Sequence, residues 1–128
     1  MKFYERLEYW SYLLRSKALY HELKYYVKKK QTHIKMLYHF NSRGIGKTYN
    51  LMKISGKYKI PVIEPMGSMA DYAYKRYLKF NPIVLTPSQL KGRAKPGTII
   101  LVDEKQLLSE NAKSELDRYI QVGFETEN

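Results

Sequence analysis

The fold is decided by the eight residues Asn41-Ser42-Arg43-Gly44-Ile45-Gly46-Lys47-Thr48. They follow an apolar run, residues 33–40, and precede a predicted helix, so a glycine-bearing loop joins a strand to a helix. This is the layout of a phosphate-binding loop, in which backbone N–H groups and the positive end of the helix dipole face a phosphate. Asn41 stands where the usual pattern has its first glycine, and asparagine tolerates a positive φ. We therefore predict that all eight residues form a nucleotide-phosphate site.

Two side chains of this loop carry specific expectations. Lys47 would reach the outer phosphates of a nucleoside triphosphate, and the hydroxyl of Thr48 would ligate Mg²⁺. The cofactors predicted from this loop are therefore ATP and Mg²⁺.

A second segment supplies the matching carboxylates, and it reads Thr98-Ile99-Ile100-Leu101-Val102-Asp103-Glu104. An apolar strand that ends in two acids is the expected form of a Walker B strand. Asp103 would hold the hydration shell of the magnesium ion, and Glu104 would orient or activate the attacking water. An ordinary buried strand capped by solvated acids would leave the coincidence with the loop unexplained, so we predict a P-loop nucleotide-binding fold.

Composition bounds the remaining possibilities. The 128 residues suit one domain, and the chain contains no cysteine, which excludes disulfides. We expect no membrane span because no apolar stretch is long enough, and no signal peptide because no apolar segment follows Met1. These features predict a cytoplasmic protein.

The net charge of +11 is unevenly spread. Residues 1–97 carry 20 Lys and Arg against 5 acids, whereas residues 98–128 carry 3 against 7. Such a basic surface suggests a polyanionic partner, and we expect DNA. The candidate contacts are Lys28, Lys29, Lys30, Lys75, Arg76, Lys79, Lys91, Arg93 and Lys95. The thirteen tyrosines could stack on bases, but they are equally well explained as half-buried core residues.

The chain is divided into an amphipathic basic helix over 1–30 and a nucleotide-binding core over 33–128. The helix is predicted to pack through a stripe at 3- and 4-residue steps: Phe3, Leu7, Trp10, Leu14, Ala18, His21 and Tyr25. An oligomer contact or a nucleic-acid arm is the alternative role for it.

The core is expected to alternate strands and helices, which indicates an α/β fold with a parallel sheet of about four strands. Strands are predicted over 34–40, 60–64, 82–86 and 98–104. A helix after the loop would end at Gly56, and a second would run from Ser68, as N-cap, to about Phe80. A final helix is expected over 105–120, followed by a short edge strand over 122–124.

The two nucleotide motifs also carry a family resemblance. The loop 42–48, the stretch 88–93 and the strand 98–104 resemble the corresponding segments of phage DNA-packaging, terminase-like ATPases. These belong to the P-loop class with an additional strand and a catalytic glutamate. The resemblance implies a phage or mobile-element ATPase that hydrolyses ATP with Glu104, Lys47 and Arg43, acts on DNA in a homo-oligomeric ring and works in the bacterial host cytoplasm. The chain resembles a minimal or truncated version, because the sequence shows no strand with a polar end after Glu104.

Two other functions remain open at this point. One is a nucleotide-dependent regulator that keeps the fold without turnover, and the other is a small-molecule kinase. Arg43, Arg93 and Arg118 are candidates for an arginine finger supplied to a neighbouring subunit, and the sequence does not choose among them.

Overall fold

The computed structural model describes residues 2–38 and 46–127. Its centre is a sheet of five parallel strands: β1 (His33–Tyr38), β2 (Pro61–Ile63), β3 (Ile83–Leu85), β4 (Ile99–Val102) and β5 (Ile120–Glu127). The strands lie in the order β1-β5-β4-β2-β3. The predicted α/β fold with a parallel sheet is confirmed, and the fifth strand, β5, covers the segment 122–124 for which a short edge strand was predicted.

Five α-helices connect or flank these strands: α1 (Phe3–Lys29), α2 (Lys47–Tyr58), α3 (Gly67–Arg76), α4 (Pro87–Leu90) and α5 (Glu110–Leu116). Within the described residues, single-turn 3₁₀ helices cover Leu78–Phe80 and Lys105–Leu107. One apolar cluster joins α1 and α2 to the sheet, and a second joins α4 and α5 to it. None of the described helices has the length and apolarity needed to cross a membrane.

The predicted strand over 122–124 is wrong in both length and position. Strand β5 has eight residues and lies between β1 and β4, with Leu37 paired to Thr126 and Val102 paired to Gly123. A Cβ atom on Gly123 would lie 1.8 Å from the carbonyl oxygen of Val102, so β5 can approach β4 only with glycine there. A long and largely buried strand therefore occupies a segment for which the sequence predicted only a short strand at the edge of the sheet.

The predicted helix over 105–120 is also wrong. This segment begins with a 3₁₀ turn, continues as the short helix α5 and is already extended at Ile120. Ser109 starts α5 by accepting a hydrogen bond from the backbone N–H of Ala112. The apolar residues that suggested one helix serve two elements, because Leu108 and Leu116 pack under the sheet while Ile120 starts β5.

Two predicted helix boundaries need smaller corrections. Gly56 does not end α2; the helix runs to Tyr58, and Gly56 allows close packing because a Cβ there would lie 1.8 Å from the carbonyl oxygen of Phe80. Ser68 does not cap α3, because the helix begins at Gly67 and its N-cap is Met66. It ends at Arg76 rather than near Phe80.

Helix α1 packs through a different face from the predicted one. Its buried residues are Ser16, Leu19, Leu23 and Val27. The predicted stripe is exposed instead, and Phe3 and Trp10 show 77% and 60% of their surface to solvent. Both stripes have helical spacing, so periodicity alone could not decide which one meets the sheet. Only the C-terminal half of α1 contributes to the core, and residues 3–14 form an exposed segment that we call the arm.

Candidate active site

The carboxyl ends of β2 and β4 and the start of α2 meet at one end of the sheet, where ligands of open parallel sheets generally bind. Here the two predicted motifs come together. The hydroxyl of Thr48 donates a hydrogen bond of 2.8 Å to Oδ2 of Asp103, which directly follows β4. The two residues predicted as magnesium ligands are therefore neighbours in the fold, although 55 positions separate them in sequence.

The second contact between the motifs involves the predicted catalytic glutamate. Nζ of Lys47 lies 3.1 Å from Oε1 of Glu104 and donates a hydrogen bond to it. Gln106 donates from Nε2 to the other carboxylate oxygen of Glu104, and its Oε1 accepts a 2.8 Å hydrogen bond from the backbone N–H of Thr126. Glu104 is thus held from two sides, by a lysine of α2 and by a glutamine fixed to the end of β5.

The backbone of Glu104 supports this placement. Glu104 adopts a left-handed conformation, with φ at 53°, which is uncommon for a residue other than glycine, asparagine or aspartate. The turn brings the side chain out of the strand direction and back towards Lys47. Uncommon backbone conformations of this kind concentrate at functional sites.

A buried pair of carboxyl groups lies beneath these contacts. Glu64 follows β2 and Asp103 follows β4, and each side chain leaves only 2% of its residue surface exposed. Burial, together with the charge of Asp103, raises the pKa of Glu64 to about 10. Burial also raises the pKa of Asp103, while the hydrogen bonds from Glu64 and from Thr48 oppose that rise. The pair therefore keeps a proton at neutral pH, and Glu64 holds it.

Outside the pair itself, no described residue offers a hydrogen bond to Oε1 of Glu64 or Oδ1 of Asp103. The two carboxyl groups are hydrogen-bonded to each other instead, and a buried pair that depends on one shared proton can exchange that proton for a cation. Asp103, next to the Thr48 hydroxyl, would then suit a hydrated Mg²⁺. No group of three His, Cys, Asp or Glu residues in the described parts could hold a metal by itself. This fits Mg²⁺, which typically uses one or two protein ligands, substrate phosphates and water.

The start of α2 is fixed against α1. Gly46 caps α2 with φ at 77°, and a Cβ on it would lie 2.6 Å from Oγ of Ser16, so both conformation and space require glycine. Nδ2 of Asn50 donates to the carbonyl oxygen of Ser16 at 3.0 Å and to its hydroxyl at 3.1 Å. The middle of α1 thereby sets where Lys47 and Thr48 begin.

A cavity of about 330 Å³ opens beside these residues. Thr48, Asp103 and Glu104 line one side of it. The other side belongs to α3 and the turn after it and includes Tyr72, Arg76 and Tyr77. The site therefore has room for a ligand next to all three predicted functional side chains.

The structure divides the predicted DNA contacts among different places. Lys30, Arg93 and Lys95 surround a cavity near the amino ends of the strands, whereas Arg76 lines the cavity at the carboxyl ends. Lys28 and Lys29 end α1, Lys75 and Lys79 are exposed on or after α3, and Lys91 begins the loop before β4. Of the arginine-finger candidates, Arg118 pairs with Glu115 at 4.0 Å.

The predicted loop residues Asn41, Ser42, Arg43, Gly44 and Ile45 lie outside the described residues, as do His39 and Phe40 of the first predicted strand. Sequence reasoning missed three side chains of the site: Glu64, Gln106 and Thr126. Glu64 could have been found, because it is an acid directly after an apolar strand whose carboxyl end meets that of β4. Gln106 and Thr126 gave no such signal, since their roles depend on the position of β5.

The geometry defines a parallel α/β domain whose β4 carboxylates meet the Lys-Thr start of a helix. Comparison of the chain with family models, with curated proteins and with solved structures finds no match. The functional conclusion accordingly rests on the residues of the site.

Proposed function

We propose that this protein is an ATPase of the P-loop type that binds Mg-ATP at the loop 41–48 and works on DNA. The observation that carries the proposal is the pair of contacts from Thr48 to Asp103 and from Lys47 to Glu104. These four residues were selected from sequence as two separate motifs with a shared chemistry. A chance glycine turn and a chance acidic strand end would have no reason to meet side chain to side chain.

The strand order also supports the proposal. The class that the sequence resembles has an additional strand, and here β5 lies between the strand before the loop and the strand that ends in Asp103. Strand β5 ends in polar residues, and the buried hydroxyl of Thr126 has no hydrogen-bond partner among the described residues. The expectation that no polar-ended strand follows Glu104 is therefore wrong.

The arrangement gives each side chain a distinct task. Lys47 would exchange its contact with Glu104 for the outer phosphates, because their negative charge is larger than that of one carboxylate. That exchange would free Oε1 of Glu104 to accept a proton from the attacking water, while Gln106 keeps the carboxylate oriented. Thr48 and Asp103 would hold Mg²⁺, which neutralises charge on the phosphates when bound. In this scheme Glu104 would not act as a base before nucleotide binds, because Lys47 donates a hydrogen bond to its Oε1 until the phosphates replace that contact.

The site also gives one observation in favour of a small-molecule kinase. The cavity continues from Asp103 to Ser68, Tyr72 and Arg76, so a second small substrate could lie beside the transferred phosphate. The two functions differ in the phosphate acceptor, because an ATPase releases inorganic phosphate in the absence of any other acceptor.

The nucleotide site is tested by Lys47→Ala. Loss of a charge-assisted phosphate contact should weaken Mg-ATP binding by about 1.5–3 kcal/mol, or roughly tenfold to a hundredfold. Titration calorimetry with a slowly hydrolysed ATP analogue measures this, and Lys53→Ala, on the same helix, is the control. Equal affinities of wild type and Lys47→Ala would refute the site.

Turnover is tested by Glu104→Gln, measured as phosphate release with and without DNA. The amide keeps the shape but cannot take a proton, so we expect hydrolysis to fall by about 10²–10⁴ with nucleotide affinity retained. Asp103→Asn should instead weaken the dependence on magnesium. A wild-type chain that binds ATP but releases no phosphate under either condition would establish the regulator without turnover in place of the ATPase.

A further inference from the structure

A groove of about 660 Å³ lies at the amino ends of the strands, at the opposite end of the sheet from Asp103. Its floor is apolar and includes Ile60, Pro61 and Ile99. Among the described residues, no acidic side chain lines it, and four cations surround the floor: Lys30, Lys59, Arg93 and Lys95. We call this the basic groove. Lys59 was not among the residues selected from the sequence.

The four cations have no competing partners. None of them makes an ion pair or side-chain hydrogen bond within residues 2–38 and 46–127, although other lysines of the protein pair with acids. Four like charges around one depression repel one another, which costs stability unless an anion is present to offset it. An anionic ligand would meet no carboxylate there to exclude it.

Two of these lysines occupy backbone positions that favour glycine. Lys30 is the C-cap residue of α1, with φ at 54°, and Lys59 is the C-cap residue of α2, with φ at 59°. Both are in the left-handed conformation. Glycine is the usual residue at this position after a helix because it lacks a Cβ. A lysine there interacts favourably with the helix dipole, but that accounts for a cation at each helix end and not for the two ends converging on one groove.

The other two cations stand on a fixed loop. The hydroxyl of Tyr119 donates to the carbonyl oxygen of Ala94 at 3.0 Å, and the hydroxyl of Thr98 donates to that of Lys95 at 2.7 Å. The backbone N–H of Gly97 donates to the carbonyl oxygen of Arg118 at 2.8 Å. The backbone that carries Arg93 and Lys95 is therefore ordered before any ligand binds, which lowers the entropic cost of binding.

From these observations we infer that the basic groove binds the phosphodiester backbone of a DNA strand. Several separate cations spread around a groove suit a chain of phosphates better than a single anion, and the apolar floor can take the sugars and bases between them. The inference rests on the DNA part of the proposed function and deepens it, because it places the DNA away from the nucleotide cavity. DNA and ATP would then bind at opposite ends of the same sheet.

The main test replaces the two left-handed lysines in one variant, Lys30→Gly with Lys59→Gly. Glycine removes both charges and suits both backbone conformations, so the variant should melt at or above the temperature of the wild type. Its affinity for a fluorescent oligonucleotide should fall about fivefold to tenfold at low salt. The slope of log affinity against log salt should decrease by about 1.4 for a single strand and about 1.8 for a duplex.

The matched control is Lys17→Gln with Lys57→Gln. Both lysines are exposed and lie outside the groove. The control therefore removes as many positive charges as the groove variant does. A second groove variant, Arg93→Gln with Lys95→Gln, removes the loop cations without touching a helix end. We expect both groove variants to weaken binding and the control to bind close to the wild type. The assay uses single-stranded and duplex oligonucleotides of one sequence. The oligonucleotide whose affinity falls more in the groove variants identifies the form of DNA that the groove holds.

The outcomes separate this inference from the proposed function. If the wild type binds DNA but the groove variants weaken binding no more than the control does, the groove is not the DNA site and the DNA function stands. If the wild type shows no salt-dependent binding to either oligonucleotide, both the groove and the DNA part of the proposed function are overturned. The ATP site is unaffected by either result, because Lys47→Ala tests it without DNA.

Discussion

At the scale of single residues, the most consequential group is Glu64, which the nucleotide motifs do not include. Its carboxyl group lies buried against Asp103, and its pKa is raised to about 10 from the usual 4.5, mainly by burial. A protonated acid in this position avoids placing two negative charges together before a cation arrives. Binding of a cation at Asp103 should then favour release of the proton.

This proton gives stability a definite dependence on pH. Between about pH 5 and pH 9 the folded state keeps the proton on Glu64, whereas the unfolded state releases it. The unfolded state then binds fewer protons, so the free energy of unfolding falls as pH rises, by at most about 1.4 kcal/mol per unit. We predict that Glu64→Gln flattens this slope and stabilises the protein most at high pH.

Denaturant unfolding at pH 5, 7 and 9 measures the effect. Glu110→Gln is the control, because this glutamate is exposed on α5. Parallel slopes for wild type and Glu64→Gln would show that Glu64 ionises normally in the folded protein.

At the scale of secondary-structure elements, β5 organises both the sheet and the site. It lies between the strands that lead to the two motifs, and its last residues hold Gln106 against Glu104. Its register depends on the close approach of Gly123 to Val102. Any displacement of β5 from β4 should therefore disturb both the packing of the sheet and the hydrogen bonds that hold Glu104.

We predict that Gly123→Ala destabilises the protein by about 3 kcal/mol or more, because a methyl group has no room beside a backbone carbonyl of β4. Gly67→Ala is the matched control: a Cβ there meets nothing within 4 Å, and alanine suits the first turn of α3. Urea denaturation of the two variants measures the difference. A Gly123→Ala protein as stable as Gly67→Ala would contradict the close packing of β5.

The secondary-structure elements also show which parts of the fold and of the candidate site could be predicted from the sequence. The meeting of Lys47 and Thr48 with Asp103 and Glu104 was predictable, because these residues belong to local motifs at strand and helix ends, and parallel strands bring such ends together. The buried face of α1 was not, since two stripes on it share the helical period. The central place of β5 depends on a contact between Gly123 and a strand that precedes it by some twenty residues, and no local pattern encodes such a pairing.

At the scale of the whole molecule, the candidate nucleotide site and the basic groove lie at opposite ends of the sheet. Buried carboxyl groups and the start of α2 occupy one end, and the basic groove occupies the other. The arm formed by residues 3–14 belongs to neither end, because the buried residues of α1 begin only at Ser16. Trp10, Leu13 and Leu14 line a cavity together with α2, so the residues before Trp10 are the part of the arm that should behave as thermodynamically separate.

We predict that deletion of residues 1–9 changes the free energy of unfolding by less than about 0.5 kcal/mol, since residues 2–9 are exposed and line no cavity with α2. Leu23→Ala, which removes a buried side chain from the other half of the same helix, should cost about 2–5 kcal/mol. Far-UV circular dichroism in urea measures both variants. A loss above about 1 kcal/mol on deletion would mean that the arm packs against the globular part.

The arm also decides which optical probe can report on this protein. The sole tryptophan, Trp10, lies on it with 60% of its surface exposed, and the centroid of the Tyr9 ring is 6.5 Å from its own. An indole already surrounded by water changes its environment little when the core melts. Tryptophan emission should therefore stay nearly constant through the unfolding transition, while the light absorbed and emitted by the tyrosines around the core follows it.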